Sequence, residues 1–341
     1  MGKVTGSIAF FAIFKPVLSV QGRLLAAPFR HFMQSQTTST ILMIRPVRFG
    51  FNEQTAESNT FQNAAVAAQT RDTAQANALR EFDNMVQQLR SYGVNVIVHE
   101  DTAEPHTPDS IFPNNWVSFH FSGTVVLYPM QAENRRAERR MEIIEDLKKE
   151  YQVAKVVDLT AFEQEGKFLE GTGSMVLDRM HRVAFACLSP RTNPDVLNEY
   201  ENRTGYRTIL FHAVDADGKE VYHTNVVMCI GDVFAVVCLQ AIPDLDERLR
   251  IRQELENLGK RIIEISLDQM AAFAGNMLQV VSTRGQKLIV MSTRAYESLT
   301  PKQIDTIDDY ARLLVVDLST IEANGGGSAR CMMAEVHLPA K

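Results

Sequence analysis

Five times along this chain, a helical segment runs into a short strand rich in Val, Ile and Leu, and β-hairpin-like sequence follows. The strands begin near residues 94, 153, 206, 261 and 312, a period of 51 to 59 residues. A repeat of this length means that one supersecondary unit is used several times and buries its apolar face against neighbouring copies. In the first unit Ala74, Ala78, Phe82, Met85, Leu89 and Tyr92 fall at three- and four-residue spacing, which predicts a helix over 71–92 with one apolar face. Gly93 ends it, because glycine tolerates the left-handed conformation that closes helices, and VNVIV follows at once. Helices expected over 133–150, 195–204, 244–258 and 301–310 lead likewise into VAKVVDL, YRTILF, RIIEIS and RLLVVDL.

The hairpins read WVSFHFSGTVVLYPM, SMVLDRMHRVAFACL, VVMCIGDVFAVVCL and MLQVVSTRGQKLIVM, with Gly123 and Gly231-Asp232 at turns. The fifth has one strand left, CMMAEVHL, because the chain ends. An orphan strand near the other terminus, TILMIRPV, can pair with it and close a ring. The expected fold class is therefore α/β: five ββαβ-like modules around a pseudo-fivefold axis, a propeller with its termini paired. A doubly wound parallel sheet is the competing architecture. It requires neither the even spacing nor the missing strand, and GTG at 171–173 lacks the flanking elements of a dinucleotide motif.

Residues 1–32 stand apart. No Asp or Glu precedes Glu53, and Lys3, Lys15, Arg23 and Arg30 are scattered among apolar residues. The run from Ile8 to Phe14 is too short to span a bilayer. The segment reads as a leader or a spurious extension, leaving 33–341 as one catalytic domain.

Composition narrows the function classes. With 45% hydrophobic and 22% charged residues and a net charge of −6, nothing favours nucleic acid or an acidic membrane surface. The densest basic cluster, Arg135, Arg136, Arg139 and Arg140, is interleaved with Glu133, Glu138 and Glu142 and reads as a solvated helix face. Cys187, Cys229 and Cys238 lie in apolar runs, where cysteine acts as a small buried hydrophobe. No CxxC pair or zinc spacing occurs, so no metal is expected, and a reducing compartment, the cytoplasm, fits. Cys331 differs, because it follows the loop Gly325-Gly326-Gly327-Ser328-Ala329-Arg330.

The loops entering the hairpins hold the unusual polar residues: Asn115, Glu170, His223, Asn276 and Cys331, in steps of 55, 53, 53 and 55 residues. Equivalent positions of a cyclic repeat lie at the same end of the ring, so these five are expected to converge. Alone, Glu170 reads as a surface carboxylate, His223 as a strand-end histidine and Cys331 as a packed thiol. Together they supply the thiol, imidazole and carboxylate of nucleophilic catalysis.

PDSIFPNNW at 108–116, FLEGTGSM at 168–175, LSPRTN at 188–193, VYHTNV at 221–226 and GGGSARCM at 325–332 resemble the pentein, or guanidino-group modifying, superfamily. That superfamily includes arginine deiminases, dimethylarginine hydrolases, succinylarginine dihydrolase and amidinotransferases. The resemblance covers about 39–337 and is nearest to a bacterial branch that hydrolyses citrulline. It implies Cys331 as nucleophile, His223 as general acid/base, Glu170 as the carboxylate beside the histidine, Asp109 as a substrate-binding acid, and Arg191 as the clamp on the substrate carboxylate. No cofactor is implied. The partner implied is a small amino-acid substrate, and a homo-oligomer is left open.

Two departures bear on the substrate. Relatives acting on arginine carry Asp at the position of Asn115, and deiminases carry Asp at that of Asn225. A guanidinium is charged and offers only donors, which suits carboxylates, whereas a neutral ureido group offers a carbonyl to an amide donor. The expected reaction is therefore hydrolysis of citrulline, with Asn115 and Asn225 donating to the developing oxyanion. An arginine-type deiminase, dihydrolase or amidinotransferase is the alternative enzyme, and a non-catalytic binding scaffold the alternative class.

Overall fold

Among the described residues, fifteen strands pair into five separate three-stranded sheets, not into one doubly wound sheet. The computed structural model describes residues 35–341, so the leader expected over 1–32 lies outside them. The strands are β1 (Thr40–Arg45), β2 (Asn95–Glu100), β3 (Val117–Phe119), β4 (Thr124–Leu127), β5 (Lys155–Asp158), β6 (Val176–Asp178), β7 (Val183–Cys187) and β8 (Arg207–Phe211). The remainder are β9 (Met228–Ile230), β10 (Phe234–Val237), β11 (Arg261–Glu264), β12 (Leu278–Val281), β13 (Lys287–Ser292), β14 (Arg312–Val316) and β15 (Ala334–Glu335).

Each sheet has the same plan. Two antiparallel strands, a hairpin in four of the five sheets, are joined by the strand after the helix, which returns parallel to the second of them, as in β3-β4-β5 and β6-β7-β8. The ends of the chain meet in the fifth sheet: β1 pairs antiparallel with β15 through Ile41–Glu335 and Leu42–Ala334, and parallel with β2. The orphan strand thus has the partner its sequence lacks locally.

The helices form where the apolar spacing placed them. Ala74–Ser91 buries Ala74, Ala78, Phe82, Met85 and Leu89, and Gly93 follows at φ 85°. Burying a side chain the size of Phe82 is worth roughly 1.5–3 kcal/mol, so this one face outweighs the helix's weak intrinsic stability. Glu81 on the same helix is also buried and accepts from the backbone N–H groups of Thr320 and Ile321, which satisfies the start of helix Ser319–Gly325. The helix expected over 133–150 is broken into Glu133–Arg136 and Met141–Glu150. No described helix is long and apolar enough to cross a membrane.

Candidate active site

Asn115, Glu170, His223, Asn276 and Cys331 all sit on short turns leading into the first hairpin strand of their sheets. Asn115 ends a one-turn helix before β3, while Glu170 and His223 cap the one-turn helices Gly171–Ser174 and Thr224–Val227 before β6 and β9. Asn276 precedes β12 and Cys331 precedes β15. All five are buried. Consecutive turns touch: Thr172 Oγ1 donates to the Asn114 carbonyl, Thr224 Oγ1 to the Ser174 carbonyl, and Asn276 Nδ2 to the Asn225 carbonyl.

Two glycines permit this approach. A Cβ on Gly173 would lie 2.4 Å from Asn115 Nδ2 and 2.7 Å from the His223 ring. One on Gly275 would lie 2.1 Å from the Val226 carbonyl oxygen. A side chain on Gly275 would force the two turns apart, whereas one on Gly173 would displace the Asn115 and His223 side chains.

Glu170 is the hub. Its Oε2 accepts from His223 Nε2 at 2.8 Å and from Arg191 Nη1 at 3.4 Å, and lies 3.7 Å from Arg135 Nη1, while Oε1 accepts from the Gln131 N–H. Burial alone would raise its pKa. Arg191, the His223 hydrogen bond and Arg135 outweigh burial and hold the carboxyl well below the usual range. Burial lowers His223 to about 4, against the opposing pull of Glu170, so the imidazole rests neutral at pH 7 beside an ionised carboxylate. That combination can accept a thiol proton and stabilise the resulting imidazolium.

Cys331 Sγ is held by two carboxamides, with Nδ2 of Asn225 at 3.4 Å and Nδ2 of Asn276 at 3.3 Å. Asn225, expected at the substrate oxygen, therefore points at the sulfur. Arg191 is occupied on its other edge by the Thr55 carbonyl and Ser58 Oγ, and its guanidinium lies 4.9 Å from the Tyr222 ring centre. Asp109 accepts from Asn52 Nδ2 at 2.7 Å, and burial raises its pKa despite nearby Arg135.

One expectation is overturned. The basic cluster at 135–140 is not a solvated face. Arg135 is 2% exposed, donates to both carboxylate oxygens of Glu138 at 2.8 and 2.9 Å, and donates from Nη1 to Asn115 Oδ1 at 2.9 Å. The helix breaks after Arg136, Asn52 and Gln54 bond the adjacent Asn134, and Arg136, Arg139 and Arg140 are themselves half-buried. Burial opposes the Arg135 charge, but Glu138 and Asp109 outweigh it and raise the pKa. Sequence reasoning also missed Asn59 and Tyr222, which line the same pocket. Periodicity gave no signal for any of the three, since they lie off the repeated turn position.

The pocket is walled by Asp109, Asn115, Arg135, Arg191, His223 and Cys331, with Phe112 and Gly325–Gly327 beside them. Its free space is about 10 Å³, room for one water at most. A larger cavity of about 730 Å³, lined by Phe61, Asp215, Arg294 and Glu322 among others, contains none of the five convergent residues. The narrow pocket is the better candidate site, because the thiol, imidazole and guanidinium groups meet there. Among the described residues no group of three or more His, Cys, Asp or Glu could hold a metal ion.

Solved structures share this fold. The N-terminal domain of ArgZ, an arginine dihydrolase from the ornithine-ammonia cycle in cyanobacteria, seen as a cysteine-to-serine mutant bound to substrate, aligns with TM-score 0.69 and 17% identity over 88% of this chain and 98% of its own. AgrE, as a cysteine-to-alanine mutant with L-arginine, aligns with TM-score 0.69 and 17% identity over 89% of this chain and 40% of its own. The enzyme DDAH from Pseudomonas aeruginosa, as a cysteine-to-serine mutant complexed with citrulline, gives TM-score 0.56 and 16% identity over 89% of this chain and 100% of its own. Among curated proteins no match was found. Residues 45–338 match the family described as N,N dimethylarginine dimethylhydrolase, eukaryotic. The chain belongs to that family, a group of hydrolases acting on C–N bonds within the guanidino-group modifying pentein superfamily.

Proposed function

We propose that this protein hydrolyses citrulline to ornithine, ammonia and carbon dioxide through a covalent adduct on Cys331, within one catalytic domain spanning 33–341. The observation that carries this reading is the Arg135–Asn115 contact. A guanidinium only donates, so the atom of Asn115 that meets Arg135 must be the carbonyl oxygen. Nδ2 is then committed to the other side, where it has no partner among the described residues. A buried, unpartnered donor suits the carbonyl of a ureido group and is repelled by a guanidinium.

In the proposed sequence Cys331 gives its proton to His223, and Sγ bonds to the ureido carbon while Asn115 Nδ2 donates to the developing oxyanion. The bond from that carbon to the side-chain nitrogen breaks, and the nitrogen leaves as the amine of ornithine with the proton from His223. Water, deprotonated by His223, attacks the S-carbamoyl cysteine. The thiol is restored, and the released carbamate falls apart to ammonia and carbon dioxide. The closed pocket would have to open for the substrate, with Arg191 leaving Ser58 to grip the α-carboxylate. The five-module propeller remains the fold behind this reading, supported by the β1–β15 pairing and by the contacts between consecutive turns. Four cysteines without disulfides agree with a cytoplasmic setting.

A second reading is favoured by the family match: a guanidino substrate such as dimethylarginine or arginine, cleaved by the same cysteine. Product analysis with citrulline, arginine and dimethylarginine side by side decides between them. Ornithine formed fastest from citrulline supports the first reading, and citrulline accumulating from either guanidino compound overturns it.

A further inference from the structure

Asn276 belongs to the set of convergent turn residues, yet neither the superfamily resemblance nor the proposed reaction gives it a task. It is fully buried, and all of its side-chain bonds go to two other turns. Oδ1 accepts from the Arg330 backbone N–H at 3.1 Å. That donor fixes the amide's orientation, because an N–H cannot face Nδ2. Nδ2 then has its two hydrogens directed to the Asn225 carbonyl at 2.9 Å and to Cys331 Sγ at 3.3 Å. A thiol at this place can also donate back to Oδ1, 3.6 Å away, whereas a thiolate can only accept, from Asn276 and Asn225. The turn is built for this contact, since Gly275 packs directly on the Val226 carbonyl.

The geometry points to Asn276 as the residue that positions the Cys331 sulfur and stabilises it once its proton has gone to His223, through one oriented amide N–H, with Asn225 as the second donor. The inference rests on Cys331 being the nucleophile, but not on which substrate it attacks. Other titratable or charged groups at the pocket are Asp109, Arg135, Glu170, Arg191 and Tyr222, and the Arg330 side chain is turned to the Met333 carbonyl and Glu335. The amide pair is the direct hydrogen-bonding contact that favours the ionised sulfur.

The test is the pH dependence of Cys331 alkylation by iodoacetamide, followed by peptide mass in the full chain, which reads the sulfur without any turnover. Asn276→Leu keeps the bulk and removes the donor. It should slow alkylation at pH 7 by about tenfold and move the profile to higher pH by about one unit, as expected for loss of one hydrogen bond to a charged atom. Asn276→Asp keeps the acceptor for Arg330 and places a carboxylate oxygen against the sulfur, so its shift should be larger. A folded Asn276→Leu protein with the native alkylation profile overturns the proposal, and so does unfolding of both variants, which would make Asn276 a structural brace. If the profile shifts as expected while Cys331→Ala retains turnover, the thiolate assignment stands and the nucleophile reading falls.

Discussion

Arg135 Nη1 donates to Asn115 Oδ1 across 2.9 Å, and this contact decides which end of the amide is left for a ligand. Asn115→Asp should therefore shift selectivity toward guanidinium. The new carboxylate would still accept from Arg135, but its second oxygen would face a ureido carbonyl without a proton to offer. The ratio of arginine to citrulline affinity should rise by roughly tenfold to a hundredfold, measured by competition against a common inhibitor. An unchanged ratio would refute the amide-for-ureido assignment.

Cys331→Ala should abolish turnover while the protein stays folded. The thiol is buried, but truncation removes one sulfur from the edge of a hydrophobic cluster, which costs about 1 kcal/mol. Circular dichroism and a melting curve should look native, and ornithine release should fall to background. Activity above a trace in the folded variant would exclude the covalent route.

Arg135→Met should destabilise the fold by about 3–5 kcal/mol, because it strands Glu138, Asp109 and Glu170 as buried carboxylates without their shared cation. Urea denaturation measures the loss. A change below about 1 kcal/mol would mean that the guanidinium is dispensable to the core.

Gly173→Ala should lower turnover more than stability. Its Cβ would press on Asn115 Nδ2 and the His223 ring, both far ends of side chains that can give way, so the chain folds while the reacting groups move. A variant with native turnover would show that the two side chains are not held at that spacing.

Glu322 accepts from Ser328 Oγ at 2.5 Å, three residues before Cys331, and burial raises its carboxyl to about 7 from 4.5. A raised folded-state pKa contributes stability that is complete below pH 4.5 and is lost as pH rises through about 7. Melting temperature should therefore fall between those limits by the equivalent of a few kcal/mol, on the order of 3, and Glu322→Gln should remove most of that fall. Parallel profiles for the two proteins would refute the assignment.

The repeat carried much of this structure in plain sight. Even spacing placed Glu170, His223, Asn276 and Cys331 on equivalent turns, and hydrophobic periodicity marked the strands and most helix faces, since both signals are local. The termini were legible as partners because one unit lacked a strand and the other end supplied it. What the repeat could not convey is what each turn residue touches. Arg135 carries the local pattern of an exposed helix, yet the helix ends at Arg136, Asn134 is bonded to Asn52 and Gln54, and the guanidinium turns inward to Glu138 and Asn115. Asn276 has the same amide chemistry as Asn115, yet its orientation is set by backbone groups 51 and 54 residues away. Sequence determined that Asn115, Glu170, His223, Asn276 and Cys331 share equivalent turns, through periodicity and turn chemistry. Tertiary structure alone decided which atoms face one another there, because hydrogen-bond partners and burial depend on how distant modules pack.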